Sequence, residues 1–380
     1  MLNRLLSHIA SRQILLVFVY FLVASASFNG FFLKWHLRDG MPEASLPKML
    51  DGTADRPYVY RRLLPSVANG IEHLLPSSVK QRADALLLDD RPAHHPIARY
   101  YAGTPDSRDA RYALRYYMVY AMSFGALLAA LLVLRGVCLD LRSEPVSATL
   151  APLAFALILP LLMAEGGYYY DMAELLFMAL AVRYALRARI LALAVLTALA
   201  AYNKESFLFF VFTLYPFLRV RLPVRRTLGV QGALLGIAVV VNLVVKAQFA
   251  HNAGDVVVQN FGVNLRYLSN ALNYLQFEYN YGVLTTKGFN VVHLFLMAVL
   301  VRLAWPRLPL RLRQSFLIAA AINVPLFLAF GCFDELRGLS FLYVGFVMIL
   351  CGAIRACIEG SHPVHQEAEN NNAVPAPTTN

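Results

Sequence analysis

The chain has 380 residues, 58% hydrophobic and 15% charged, with a formal net charge of +11 at pH 7. That composition excludes an ordinary soluble domain, in which roughly a quarter of residues are charged, and describes a polytopic membrane protein. The basic excess sits mainly as arginine in short loops between apolar runs. The positive-inside rule accounts for it without nucleic acid as a partner.

Residues 1–13 form a basic amphipathic start carrying Arg4 and Arg12, followed by an apolar run over residues 14–33. The run is long enough to span a bilayer, and its basic flank places the N-terminus on the cytoplasmic side. Ala24-Ser25-Ala26 has the small residues of a signal-peptidase site. The apolar run continues through residues 28–33, so an uncleaved first span is expected.

Residues 34–115 form the one long polar segment. Its 13 Lys/Arg do not hold it in the cytoplasm, because long loops translocate largely regardless of charge. Residues 63–75 and 79–88 have helix-like apolar spacing suited to surface helices. His94 and His95 are adjacent rather than one helical turn apart, so no metal site is expected there.

Further crossings are predicted at residues 116–137, 150–163, 172–186, 190–201, 207–218, 228–245, 291–303, 316–330 and 339–354. With the first they make an all-α fold of about ten transmembrane helices, with both termini cytoplasmic. The cytoplasmic turns are marked by Arg135 and Arg142, by Arg183, Arg187 and Arg189, by Arg219, Arg221, Arg225 and Arg226, by Arg302, Arg307, Arg311 and Arg313, and by Arg355. Residues 190–218 could form one long helix with Lys204 inside it, but four arginines would then lie outside. Two short spans, with Lys204 beside a water-filled cavity, fit better. Residues 263–281 read as an aromatic-rich helix at the membrane interface.

The membrane domain covers residues 1–358, and residues 359–380 read as a polar, disordered cytoplasmic tail. Cys138, Cys332, Cys351 and Cys357 have neither metal-ligand nor disulfide spacing and read as packing residues. No internal repeat points to a transporter with inverted halves.

On this topology the ionisable residues gather on one face. Asp39, residues 56–65, Asp171, Glu174, Lys204, Glu205, Asp334, Glu335 and Arg337 all fall outside, beside Tyr168, Tyr169 and Tyr170. Ionisable residues at membrane depth are costly and mark function. Each also has a plain structural reading. Asp39 could end the first helix in solvent, and the tyrosines could form an interfacial belt. Lys204 could pair with Glu205, Glu335 and Arg337 could start a helix, and Arg61 and Arg62 could contact headgroups.

Asp39 after the first span is followed by Asp51-Gly52 and then by Arg56-Pro57-Tyr58-Val59-Tyr60-Arg61-Arg62-Leu63-Leu64-Pro65. This arrangement resembles the first external loop of GT-C membrane glycosyltransferases that use polyprenol-phosphate sugars. Residues 166–218, with their arginine turn and Lys204 after a short helix, resemble the same superfamily. The likeness covers about the first 220 residues. Gly40 stands where a second acidic residue often follows, and Arg61 where a proline is common.

The resemblance implies a sugar moved from a polyprenyl-phosphate donor to a glycan, lipid or protein acceptor on the periplasmic face of a bacterial inner membrane. It assigns Asp39 as general base and Lys204, Arg61 and Arg62 as ligands of the donor phosphate. Tyr170, Asp171, Glu174, Glu205, Glu335 and Arg337 are further cavity residues. Cations at the membrane surface suit a leaving phosphate, and a carboxylate can take the acceptor's proton. No phosphate-binding loop or dinucleotide glycine motif calls for a soluble activated donor. No cofactor is implied, and a divalent metal is left open. A transporter or flippase of lipid-linked saccharides and a non-catalytic envelope assembly protein are the alternatives.

Overall fold

The computed structural model describes residues 2–89 and 91–359. Almost all of the regular structure is helical. The chain begins with α1 (Leu2–Trp35), followed by the polar segment with α2 (Leu46–Asp51), α3 (Leu63–Leu74), α4 (Ser77–Leu87) and α5 (Pro96–Tyr100). The central bundle is α6 (Ala113–Asp140), α7 (Pro145–Leu162), α8 (Tyr169–Leu186) and α9 (Ile190–Asn203). After a broken stretch containing α10 (Phe207–Phe210) and α11 (Tyr215–Leu218) come α12 (Val224–Gln248) and α13 (Phe261–Ser269). An antiparallel hairpin of β1 (Phe277–Asn280) and β2 (Val283–Thr286) leads to α14 (Val291–Ala304), α15 (Leu310–Phe330) and α16 (Tyr343–Glu359).

Sequence periodicity explains which faces meet. On α1, Tyr20, Ala24, Phe28, Phe31 and Phe32 recur at three- and four-residue steps and are buried, which is one stripe of a helix. Ile14, Leu15, Phe18 and Leu22 on the other side are exposed, as a lipid-facing surface requires. The buried stripe packs on α6 and α7. There Tyr120 meets the rings of Phe28 and Phe32 edge to face at 5.1 and 4.9 Å, each such pair contributing about 0.5–1.5 kcal/mol beyond its burial.

Helix α8 is buried on almost every side, as expected of a helix apolar around its circumference, and packs against α6, α9 and α16. At its arginine end Arg183 and Arg187 both reach Asp140 of α6, at 3.2 and 2.7 Å. This ties the turn to the bundle through a carboxylate that the loop pattern alone did not implicate.

Among the described residues six helical segments are long and apolar enough to cross a membrane: Ser11–Trp35, Ala113–Asp140, Pro145–Leu162, Val224–Gln248, Leu310–Phe330 and Leu336–Glu359. The other expected crossings are also helical but shorter or more polar. Helix α9 and helix α14 have 14 residues each, about 21 Å at 1.5 Å per residue, against a hydrocarbon core of about 30 Å. Residues 207–218 are two single turns joined by a 3-10 turn. The segment expected as one interfacial helix over residues 263–281 instead ends at Ser269 and gives way to a 3-10 turn and the first hairpin strand. Strand pairing there wins over helical spacing because Tyr281-Gly282 both adopt positive φ, 52° and 79°, the backbone of a tight two-residue hairpin turn. The tail expected to be disordered lies, apart from Glu359, outside the described residues.

Candidate functional site

The C-terminal end of α1, the N-terminus of α8, the end of α9 and the segment before α16 converge at one end of the bundle. Three hydrogen bonds lock α1 to the chain entering α8. Lys34 Nζ donates to the Ala164 carbonyl at 2.7 Å, Trp35 Nε1 to Met163 at 2.8 Å, and Arg38 Nε to Gly167 at 2.9 Å. The Gly166-Gly167 pair makes this approach possible. A Cβ on Gly166 would lie 2.8 Å from Glu335 Oε1 and 3.0 Å from Arg337 Nε, and one on Gly167 would lie 2.6 Å from Trp35. A side chain at Gly167 would push on the Trp35 and Phe31 rings of α1, and one at Gly166 would displace the Glu335 and Arg337 side chains.

Helix α8 begins with a capping interaction: Asp171 Oδ2 accepts the Tyr168 backbone N–H at 2.9 Å, so the third helical residue closes back on the N-cap. One turn on, Glu174 faces the same direction. Helix α9 ends where Asn203 Nδ2 donates to the Tyr170 carbonyl at 3.1 Å, and the chain leaves in extended conformation at Lys204. That exit aims Lys204 Nζ at Glu174 Oε2, 2.6 Å away, and at Asp171 Oδ1, 3.3 Å away. Ser206 and Ser340 donate to the other oxygen of Glu174 at 3.3 and 3.2 Å. Arg337 joins from the far side, reaching Asp171 at 3.3 Å and pairing with Glu335. Side-chain exposure is only 5% for Asp171, 3% for Glu174 and 12% for Lys204, so these charges depend on one another and not on water.

The tyrosines form the wall between the cations. Tyr168 and Tyr170 stack with ring centroids 5.0 Å apart, and Tyr58 stacks on Tyr168 at 5.7 Å. Arg337 lies 4.5 Å above the Tyr168 ring, Arg38 4.0 Å from it, and Arg61 5.5 Å from Tyr170, all within cation–π range. Arg61 also pairs with Glu205 at 2.6 Å. Among the described residues, the buried Nε atoms of Arg61 and Arg337 and the Oε2 atom of Glu205 have no hydrogen-bond partner. Unsatisfied buried donors are rare in native structures and call for an acceptor.

The sequence-predicted residues therefore divide. Lys204, Arg61, Tyr170, Asp171, Glu174, Glu205, Glu335 and Arg337 come together. The pairing expected between Lys204 and Glu205 is replaced by Lys204 with Asp171 and Glu174, and Glu205 with Arg61. Arg62 turns elsewhere, donating to the Met49 carbonyl and lying 5.1 Å from the Phe249 ring. Asp334 is fully buried and accepts the Phe289 N–H at 2.9 Å, fixing the foot of the hairpin.

Asp39 is neither in the cluster's ion pairs nor free in solvent. Its Oδ2 accepts from the Tyr116 hydroxyl at 2.7 Å and the Leu37 N–H at 3.3 Å, and its Oδ1 from the Asp106 N–H at 3.2 Å. Burial pushes its carboxyl above the ordinary range, against the opposing pull of these hydrogen bonds and of His36. Asp106 is pushed up to about 6, first by burial and then by the charge of Asp39. Successive residues thus face two ways, Arg38 toward Tyr168 and Asp39 toward Asp106.

Arg38 and Asp106 are the residues that sequence reasoning missed. Arg38 carries a signal only in hindsight, as a cation beside Asp39 in a turn where Arg38 and His36 have φ of 65° and 47°, values uncommon outside glycine. Nothing around Asp106 distinguishes it, since its role arises from a contact 67 positions away. Among the described residues no group of His, Cys, Asp and Glu is placed to hold a metal ion.

The fold and site define a class: a multi-pass helical membrane protein with a buried, aromatic-lined network of ion pairs at one end of its bundle. Comparison with known proteins takes the chain no further, since no family model, curated protein or solved structure matches it.

Proposed function

We propose that the chain is a membrane glycosyltransferase of GT-C type, moving a sugar from a polyprenyl-phosphate donor to a glycan, lipid or protein acceptor on the periplasmic face of the bacterial inner membrane. In this reading all ten apolar helical segments enter the membrane, the short ones lining the site, where irregular backbone is tolerated. The observation that carries the proposal is the pair of buried guanidinium groups, Arg61 and Arg337, each with an unsatisfied Nε beside the Tyr168–Tyr170 stack. A phosphate supplies acceptor oxygens for both, and charge-assisted hydrogen bonds to phosphate are among the stronger ones.

In the reaction the acceptor hydroxyl oxygen attacks the anomeric carbon of the donor sugar. The bond from that carbon to the phosphate oxygen breaks, and polyprenyl phosphate leaves with the electron pair. Arg61, Arg337 and Lys204 stabilise the growing phosphate charge. The hydroxyl proton passes to the carboxylate pair Asp39 and Asp106, whose raised affinity for protons suits a base working near neutral pH. Asp171 and Glu174 hold Lys204 and Arg337 in place.

The test is retention of undecaprenyl phosphate by detergent-purified protein, followed by native mass spectrometry. Wild type should retain one molecule, and Arg337→Gln should weaken retention by roughly 10- to 100-fold, the value of one charge-assisted contact. Equal retention by both proteins removes the donor site.

One observation favours a rival. Arg38, Arg61, Lys204 and Arg337 are matched in number by Asp171, Glu174, Glu205 and Glu335. A neutral network of this kind also serves as a keystone in a non-catalytic assembly protein or in a transporter of lipid-linked saccharides. In either, neutral replacement of Asp39 and Asp106 would leave function intact.

A further inference from the structure

Helix α14 packs on α16 through Leu300, Val301 and Ala304 but leaves most of its surface open. Val291, Val292, Leu294, Phe295, Leu296, Met297, Val299 and Leu303 are all exposed, and Ala304 is the one buried residue along it. It touches α16 closely at its last turn, where Ala304 Cβ lies 3.1 Å from where a Cβ on Gly352 would be. Between α14 and Phe316 of α15 this leaves a shallow, open groove of about 800 Å³. Leu294, Met297, Ala298, Val301 and Arg302 of α14 line it, with Trp305 and Pro306 of the following turn, and Phe316 is the one residue that α15 contributes.

The groove is apolar along its length and basic at one end. Trp305 closes that end against Phe316, with ring centroids 6.0 Å apart, and Arg313 lies 5.9 Å from the Trp305 ring. Arg302, Arg307, Arg311 and Arg313 crowd this turn, and the stretch between Glu278 and Asp334 contains no acidic residue. None of these four arginines forms a salt bridge among the described residues. Elsewhere Arg183 and Arg187 share Asp140 and Arg355 pairs with Glu359, whereas Arg219, Arg221, Arg225 and Arg226 resemble this turn in forming no salt bridge among the described residues. What distinguishes it is the apolar groove that Arg302 lines. A membrane-embedded apolar slot ending in unneutralised arginines matches an anionic phospholipid, acyl chain along the helices and phosphate at the basic mouth.

We propose that the groove between α14 and α15 is a binding site for an anionic phospholipid of the leaflet at the arginine end. The site is separate from the Lys204–Arg337 cluster, and it stands whether or not the chain is a glycosyltransferase.

The experiment is native mass spectrometry of the purified full chain equilibrated with mixed micelles of phosphatidylglycerol and phosphatidylcholine. Wild type should retain phosphatidylglycerol preferentially. Arg302→Gln should cut that preference about 5-fold and Arg302→Gln with Arg311→Gln about 25-fold, at about 1 kcal/mol per arginine. Ala298→Phe, which fills the groove without touching the charges, should lower retention of both lipids. Arg225→Gln on another basic turn should change nothing. Equal retention of the two lipids by wild type overturns the proposal, as does preference unmoved by Arg302→Gln or retention unmoved by Ala298→Phe. Inorganic phosphate at millimolar concentration should not compete; if it displaces the lipid, the apolar groove plays no part and the proposal fails.

Discussion

Replacing Lys204 by Met isolates what the buried network contributes. The change keeps much of the side chain's length and removes its charge. Asp171 would still have Arg337 at 3.3 Å and the Tyr168 N–H at 2.9 Å. Glu174 would keep only the Ser206 and Ser340 hydroxyls and would lose its one ion-pair partner. Removing one member of a buried pair costs about 3–5 kcal/mol, because the remaining charge stays out of water uncompensated. At roughly 2–4 °C per kcal/mol for a medium-sized domain, the melting temperature in detergent should fall by on the order of 10 °C. The exposed pair Arg355–Glu359 is the internal control, since severing such a pair costs about 0–1 kcal/mol. Adding Glu174→Gln to Lys204→Met should restore most of the loss, giving a coupling of several kcal/mol in the double-mutant cycle. Unchanged melting of Lys204→Met, or additive losses in the double variant, would show that the network does not act as a unit.

Other expectations follow from particular contacts. The folded-state pKa of Asp106, about 6, lies above its ordinary 3.8, so its contribution to stability is present below about pH 4 and lost as pH rises through 6. Asp106→Asn should flatten the melting-temperature profile across that window and should not lower stability at pH 7.5; a profile identical to wild type contradicts the Asp39–Asp106 coupling. Asp39→Asn should lower transfer by about 10²–10⁴-fold while undecaprenyl phosphate is still retained, and unaltered turnover moves the base elsewhere. Gly167→Ala should destabilise, because its Cβ would lie 2.6 Å from Trp35 and 2.9 Å from Phe31, and a neutral melting shift would mean these α1 rings do not close on that turn. Cysteines placed at Tyr100, which is 71% exposed, and at Pro223 should react with an impermeant thiol reagent from opposite sides of the membrane. Labelling of both from one side would break the proposed topology.

The parts of this structure legible in the sequence were those written in local pattern. Apolar runs bounded by arginine located every long helix, and the spacing of Tyr168, Asp171 and Glu174 put their side chains at one helix start. What stayed hidden depends on contacts across long separations. The partner of Arg61 lies 144 positions away at Glu205, and that of Arg337 lies 166 positions away at Asp171. Neighbours in sequence suggested Lys204 with Glu205, but the extended exit from α9 sends the two side chains apart. The hairpin was missed because its aromatic residues satisfy helical spacing as readily as strand alternation, and the deciding positive φ at Tyr281 leaves little trace in composition. For the short helices, apolar character identified the segments, but hydropathy carries no information about whether 14 residues reach across a bilayer.

The most direct measurement is covalent capture of the lipid. A polyprenyl phosphate carrying a photoreactive group beside its phosphate would be bound to the purified chain, irradiated and mapped by peptide mass spectrometry. The expected adducts fall on Tyr168–Asp171 and on the segment carrying Arg337, and they disappear in Arg337→Gln. Adducts confined to the groove between α14 and α15, or labelling indifferent to Arg337, would contradict a donor-phosphate site at this end of the bundle.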